Sequence, residues 1–142
     1  MITDAFLRLS DAQLLTTTAV STNTIDLGVA RDMGAGEELY VYFTVPVALV
    51  GGTNVTFQVI TSAAAALTSP TVVATTAAVV TASLVAGYKA AVRIQPSVFG
   101  TGQRYLGAQY TISGTYSAGS VTADIATDIA DFKTYGSGFS VT

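Results

Sequence analysis

The sequence predicts an all-β fold, an antiparallel β-sandwich or small barrel of seven to eight short strands with terminal arms. Three observations carry that expectation. Apolar residues recur at every second position over 39–47, 54–59, 88–95 and 104–114, the period of a strand with one face in a core. Gly, Pro, Ser and Thr punctuate the intervals between these runs. No stretch shows the 3.6-residue period of a long helix. Short alternating strands separated by such turns favour two sheets packed face to face.

The chain opens with an apolar cluster, Phe6, Leu7, Leu9, Leu14 and Leu15, in which Asp4 or Ser10 can cap one helical turn. The same residues suit an extended arm, expected over 1–15. Thr16, Thr17 and Thr18 are β-branched and point to a strand from Ala19 to Leu27. Gly34 and Gly36 mark a loop before the next run.

Residues 38–47 form the clearest strand, with Leu39, Val41, Phe43, Val45 and Val47 inward and Tyr40, Tyr42 and Thr44 outward. Pro46 cannot donate to a ladder and marks an edge or a terminus. Gly51 and Gly52 form a turn, and 54–59 continues with Val55, Phe57 and Val59 inward. Together the two runs read as a hairpin.

Residues 63–66 are open between helix and loop. Pro70 extends the backbone before it, 71–80 reads as an irregular strand, and 82–85 is a short piece. In 88–95, Tyr88, Ala90, Val92 and Ile94 face inward. In 104–114, Leu106, Ala108, Tyr110 and Ile112 face inward, and Tyr105, Gly107, Gln109 and Thr111 face out. Residues 121–125 alternate again, so 104–126 reads as a second hairpin with a longer loop. After Asp128 the alternation stops. Phe132, Tyr135, Phe139 and Val141 suit a last strand or a docking arm over 131–142.

At 142 residues the chain is one domain, long enough to bury roughly 70% of its unfolded surface. It has no Cys, His or Trp. That removes disulfides, thiolate and imidazole metal sites, and the Ser-His-Asp triad. Only 11% of residues are charged, against about 25% in an ordinary soluble domain, and none lies between Leu39 and Tyr88. Such a surface is either Thr/Ser-rich and solvated or covered by partners. A net charge of −3 and six scattered cations speak against nucleic acid. Mean hydropathy is +0.54, yet Pro46, Gly51, Gly52, Asn54, Gln58 and Pro70 break any spanning helix. The first residues lack the basic region of a signal peptide.

Candidate chemistry is sparse. Asp32, Glu37 and Glu38 offer three carboxylates to a hard cation but no EF-hand spacing. Asp124, Asp128 and Asp131 can be imagined as glycosidase acids, though loop-end aspartates bonded to backbone N–H groups are the plainer reading. Asn54-Val55-Thr56 matches the N-glycosylation sequon. No residue set calls for a cofactor, a metal or catalysis.

Four stretches in order carry a resemblance: Phe6-Leu-Arg-Leu-Ser-Asp-Ala-Gln, Ser21-Thr-Asn-Thr-Ile-Asp-Leu-Gly, Arg31-Asp-Met-Gly-Ala-Gly-Glu-Glu-Leu-Tyr, and Gly102-Gln-Arg-Tyr-Leu-Gly-Ala-Gln-Tyr-Thr-Ile-Ser-Gly. The chain resembles the small capsid cement, or decoration, proteins of tailed bacteriophages. The resemblance runs from Phe6 to about Asp128 and leaves out 63–84. It implies a jelly-roll sandwich that sits as a homodimer on the outer surface of the virion, bridges major capsid protein subunits and stabilises the expanded shell without enzymatic activity. The residues expected to meet the capsid are Phe6, Leu7 and Leu9 in one arm and Tyr135 and Phe139 in the other. The expected self-association face is Tyr105, Gln109 and Thr111. No nucleic acid or membrane partner is expected. The rival expectation is a carbohydrate- or receptor-binding sandwich of a phage tail or cell surface, with an exposed aromatic pocket.

Overall fold

The computed structural model describes residues 4–29, 39–94 and 103–127. They form ten strands: β1 (Arg8–Leu14), β2 (Ala19–Val20), β3 (Ile25–Asp26), β4 (Leu39–Gly51), β5 (Asn54–Ser62), β6 (Thr71–Thr75), β7 (Val79–Val80), β8 (Lys89–Ile94), β9 (Tyr105–Ser113) and β10 (Tyr116–Ala126). The first sheet has the order β1-β10-β4-β8, and the second β2-β9-β5-β6. β3 also pairs with β9, and β7 with β5. β2 with β3, and β6 with β7, are thus halves of two broken strands, giving eight strand positions. All pairs are antiparallel. Numbered along the chain, the positions run 1-8-3-6 and 2-7-4-5, the strand order of a jelly roll.

The alternating residues meet between the sheets. Val41, Phe43, Val45, Val55, Phe57, Val59, Leu106, Ala108, Tyr110, Val121 and Ala123 are all buried there. Phe43, Phe57 and Tyr110 form the centre, with Phe43 and Phe57 5.1 Å apart and each edge-on to Tyr110 at 6.1 and 6.2 Å. Tilted and edge-to-face pairs add to the burial of the rings themselves.

Neither expected hairpin forms. β4 and β5 lie in different sheets, as do β9 and β10. The turns at Gly51-Gly52 and Gly114 carry the chain across the sandwich. β4 pairs with β10 and β5 with β9, so the four strands are one long two-stranded ribbon folded over on itself. The fold line is held by Gly52 N–H to Thr115 O and Thr53 N–H to Ser113 O, both 2.8 Å. The two corners lie so close that a Cβ on Gly51 would stand 2.7 Å from Thr115 O and one on Gly52 would enter the Tyr116 ring. Both glycines also have positive φ, +102° and +30°.

Two other expectations change. The arm expected over 1–15 does not extend through its second half, because Arg8–Leu14 is strand β1 on β10 and Leu9 and Leu15 are core residues. Pro46 does not end β4. It sits where three steps of β4 (Thr44 to Val47) face two of β10 (Thr122 to Ser120). Such a bulge tolerates a missing N–H. The extra residue also turns Val47 from the core side to solvent, where it is 55% exposed.

Candidate functional site

The N-terminal turn is built by one side chain. Asp4 Oδ1 accepts from Phe6 N–H at 2.9 Å and Asp4 O accepts from Leu7 N–H at 3.0 Å, closing a 3-10 turn over Ala5–Leu7. The turn projects Phe6 almost wholly into solvent, 91% exposed, with Leu7 beside it. Arg8 anchors its root by donating to Asp124 at 2.9 Å and Asp11 at 3.2 Å. Of the residues expected to meet a partner, Phe6 and Leu7 are therefore presented. Leu9 is not: the next position of the strand alternation turns it into the core, where it is fully buried. Tyr135 and Phe139 lie outside the described residues.

Tyr105, Gln109 and Thr111 do share the outer face of the second sheet. Gln109 is half-buried between Gln58 on β5 and Val20 on β2. Exposed Thr111 donates its hydroxyl to Gln58 Oε1 at 2.7 Å. Tyr105 stands at the far end under the Arg104 guanidinium, 5.2 Å from the ring centre. Arg104 in turn grips Asp26 with two 2.6 Å bonds. Those bonds, helped by Gly28 N–H, hold the Asp26 carboxyl down to about 2.

The face is not one continuous plane. The loop after β5 folds back over it and lays Leu67 on Gly107, opposite Ile60. Leu67 and Ile60 are both buried. Ser62 Oγ donates to Thr68 O at 2.7 Å and accepts from Ala64 N–H at 3.1 Å, and Thr24 Oγ1 donates to Ala65 O. Leu67 holds φ +54°, a costly value for a branched side chain. The fit of its side chain into the slot left by Gly107 offsets that cost. Polar Gln109 and Thr111 are thus separated from Tyr105 by an apolar plug.

Two features escape the sequence reading. On the outer face of the first sheet, Leu14 lies opposite Ser120 and Ser120 opposite Val47, with Ala118 and Val50 next in line. Leu14, Val47 and Val50 are 74%, 55% and 54% exposed, an apolar row without a charge. The bulge at Pro46 creates it, and only the bulge could have signalled it. The other half of that face is polar, with the Arg8–Asp124 pair beside Tyr42. Burial pushes the Tyr42 hydroxyl up to about 12.

The second feature is a groove of about 480 Å³ between β6 and β8, lined by Val73, Ala74, Thr75, Thr76, Ala91, Val92 and Arg93. The opposite side of the sandwich is laced shut. Ser10 Oγ donates to Gln13 Oε1 at 2.7 Å, Gln13 Nε2 donates to Val20 O at 2.8 Å, and Asn23 Nδ2 donates to Arg8 O at 3.1 Å.

Among the described residues no group of three His, Cys, Asp or Glu side chains is placed to hold a metal ion, and no helix is long and apolar enough to cross a membrane. Asp32, Glu37, Glu38, Asp128 and Asp131 lie outside them. Asp124 is bonded to Arg8 rather than to a second carboxylate.

The model of one protein family, described as Bbp16, matches residues 9–125. The match spans the sandwich from β1 through most of β10. No curated protein matches the chain.

Proposed function

We propose, from the premise that the chain belongs to the Bbp16 family, that it is a structural virion protein. It binds the outer surface of a tailed-phage capsid and stabilises the expanded shell by bridging major capsid protein subunits. The observation that carries this reading is Phe6, a large apolar side chain held in solvent by a capped turn at the root of a rigid sandwich. An exposed aromatic group on a preorganised turn loses little freedom when a partner covers it. The charge-free row of Leu14, Val47 and Val50 is a second apolar surface that supports the same reading.

Two copies associate through the outer face of the second sheet, using Tyr105, Gln109 and Thr111. Two-fold symmetry requires each copy to offer the same patch, and the uncharged Gln58–Thr111 and Gln109 row meets that condition without like-charge repulsion. A dimer then carries two N-terminal turns. Contacts of ordinary size, about 800 Å² per partner, gain through effective concentration when both are made. A ligand that binds only the assembled lattice stabilises it by mass action.

The experiment mixes the purified protein with expanded empty capsids and images the particles. Ordered added density on the outer surface is the expected result, with Phe6→Asp removing it while leaving the circular dichroism of the free protein unchanged. Bare capsids at saturating wild-type protein would overturn the proposal.

A further inference from the structure

The outer face of the second sheet is crossed by a ridge. The loop after β5 passes over β9 and reaches the junction of β2 and β3, where Ala65 O accepts from Thr24 Oγ1 at 3.1 Å. Leu67 pins the ridge in the Gly107 slot, and Ala63, Ala65 and Ala66 stay exposed on its crest. To one side lies the polar half of the face, with Gln58 opposite Gln109 and Thr56 opposite Thr111. We propose, resting on the self-association read above, that the ridge of each copy seats on the polar half of the other, with the two-fold axis parallel to the ridge and over Gln109.

Shape decides the axis. Two faces that each carry a ridge meet closely only where neither ridge lies on the other. An axis along the strands stacks ridge on ridge and holds the sheets apart. An axis across the strands over Gly107 does the same. Moved two residues, over Gln109, it carries the ridge of one copy from the level of Gly107 to the level of Thr111 in the other. Those levels are four residues apart in β9, about 13 Å along the strand. The two ridges then lie side by side, little further apart than the roughly 10 Å between packed layers. Four strand positions by the nine residues of β9 span about 19 by 27 Å, roughly 500 Å² in plan. Interlocked ridges add their flanks, which brings the contact to the order of the roughly 800 Å² per partner that stable complexes bury.

Charge agrees with this placement. Among the described residues the second sheet and its flanks carry two charged side chains, Asp26 and Arg104, paired at the Tyr105 end. An axis over Tyr105 would set each Arg104 against its twin, and like charges face to face are destabilising. An axis over Gln109 brings the pair to the level of Gly114 in the other copy, clear of any charge. At the axis itself each Gln109 meets its own twin. A side-chain amide both donates and accepts, so two of them satisfy each other across a two-fold as a single charge could not. Tyr105 falls at the level of Ser113 in the other copy, at the margin of the same contact.

The chain has no cysteine, so disulfide trapping in the full-length protein is clean. Ala66→Cys with Thr111→Cys is oxidised mildly beside each single variant. Within one chain the ridge and Thr111 are about 13 Å apart along the strand, too far for a bridge whose Cα atoms lie within about 7 Å. Between two copies the proposed contact closes two such bridges. The double variant is expected to become a covalent dimer at least about tenfold faster than either single variant, because only the 66–111 pair meets the geometry of a disulfide. Equal or faster closure by Ala66→Cys alone means ridge on ridge and would overturn the proposal. Gln109→Arg sets two like charges at the axis and is expected to raise the dimer dissociation constant at least about tenfold with unchanged circular dichroism; an unchanged constant also overturns it. Light scattering of the wild-type protein separates the two readings. A monomer at every concentration removes self-association itself. A dimer that forms no 66–111 bridge leaves self-association standing and overturns the ridge placement alone.

Discussion

Tyr110, at the centre of the second sheet, donates its hydroxyl to Ser10 on the edge strand of the first, 2.7 Å away and wholly buried. Ser10 passes the bond to Gln13, which also accepts from Thr22 N–H and donates to Val20 O. One phenol therefore joins the aromatic core to the laced side of the sandwich. Burial pushes the Tyr110 hydroxyl well above its usual range. Tyr110→Phe is expected to cost about 1 kcal/mol, one net hydrogen bond, and Ser10→Ala more, about 1–3 kcal/mol, because it leaves the buried Tyr110 hydroxyl without its acceptor, while Gln13 keeps Thr22 N–H and Val20 O. The double variant should cost less than the sum of the two, as measured by urea unfolding.

Gly107 and Leu67 form the second testable pair. A Cβ at position 107 would collide with Leu67 Cδ1 and stand 3.0 Å from Ser21 Oγ. Gly107→Ala should lift Leu67 out, uncover Ile60 and cost about 1–3 kcal/mol. Adding Leu67→Ala should recover part of the overpacking loss. Thermal unfolding of the single and double variants checks this, and strict additivity would show that the two residues do not share the slot.

Acid and alkali should act at different sites. The Asp26 carboxyl is held at about 2 in the folded chain, below its ordinary value of about 3.9. Its contribution is present above that ordinary value and is lost as pH falls toward 2. Both partners are about half exposed, so the effect is small. Asp26→Asn should flatten stability over that interval and leave neutral behaviour nearly unchanged. The Tyr42 hydroxyl, raised to about 12, works oppositely: stability is full below about 10 and falls as pH climbs toward 12. Tyr42→Phe should make that alkaline fall less steep, followed by tyrosinate absorbance.

Deletions should separate the N-terminal turn from the strand behind it. Removing residues 4–7 with what precedes them takes away Phe6 and Leu7 and, among the described residues, no core residue, so the sandwich should fold and fail to decorate capsids. Removing 1–15 takes away β1 with Leu9 and Leu15, both essentially inaccessible to solvent. Burial of two leucines is worth about 3–6 kcal/mol, a large share of the stability of a domain, so this variant should be unfolded or aggregated by circular dichroism and light scattering.

Strand existence and the inward set were legible because the period of two is a local property. Val41, Phe43, Val55, Phe57, Val92, Leu106 and Tyr110 are all inside, as their alternation requires. Pairing was not legible. Gly51-Gly52 and Gly114 look the same in sequence whether the chain returns to its own sheet or crosses to the other, and here it crosses. Leu9 was misplaced because its run also suits an arm, and a strand beginning at Arg8 shows only through Asp124 more than a hundred residues away. Val47 was reversed by a single extra residue at Pro46. Tyr105, Gln109 and Thr111 share one sheet face, as the alternation requires, but nothing local to 104–114 announces that Leu67 lies across the middle of that face.

β10 is the last described strand and an interior member of its sheet, flanked by β1 on one side and β4 on the other. Until that strand has been synthesised, β1 has no partner and the longest strand of the fold lacks one of its two. Gly51 must wait for Tyr116, and Arg8 for Asp124. The uncharged stretch from Leu39 to Tyr88 therefore leaves the ribosome before the strand that seals it. Pairings this distant in sequence are slow to form, and exposed apolar strands are prone to aggregate meanwhile. Folding of this sandwich therefore cannot be completed before β10 has left the ribosome. Stop codons placed within β10 should be as damaging as those placed near the start of the gene.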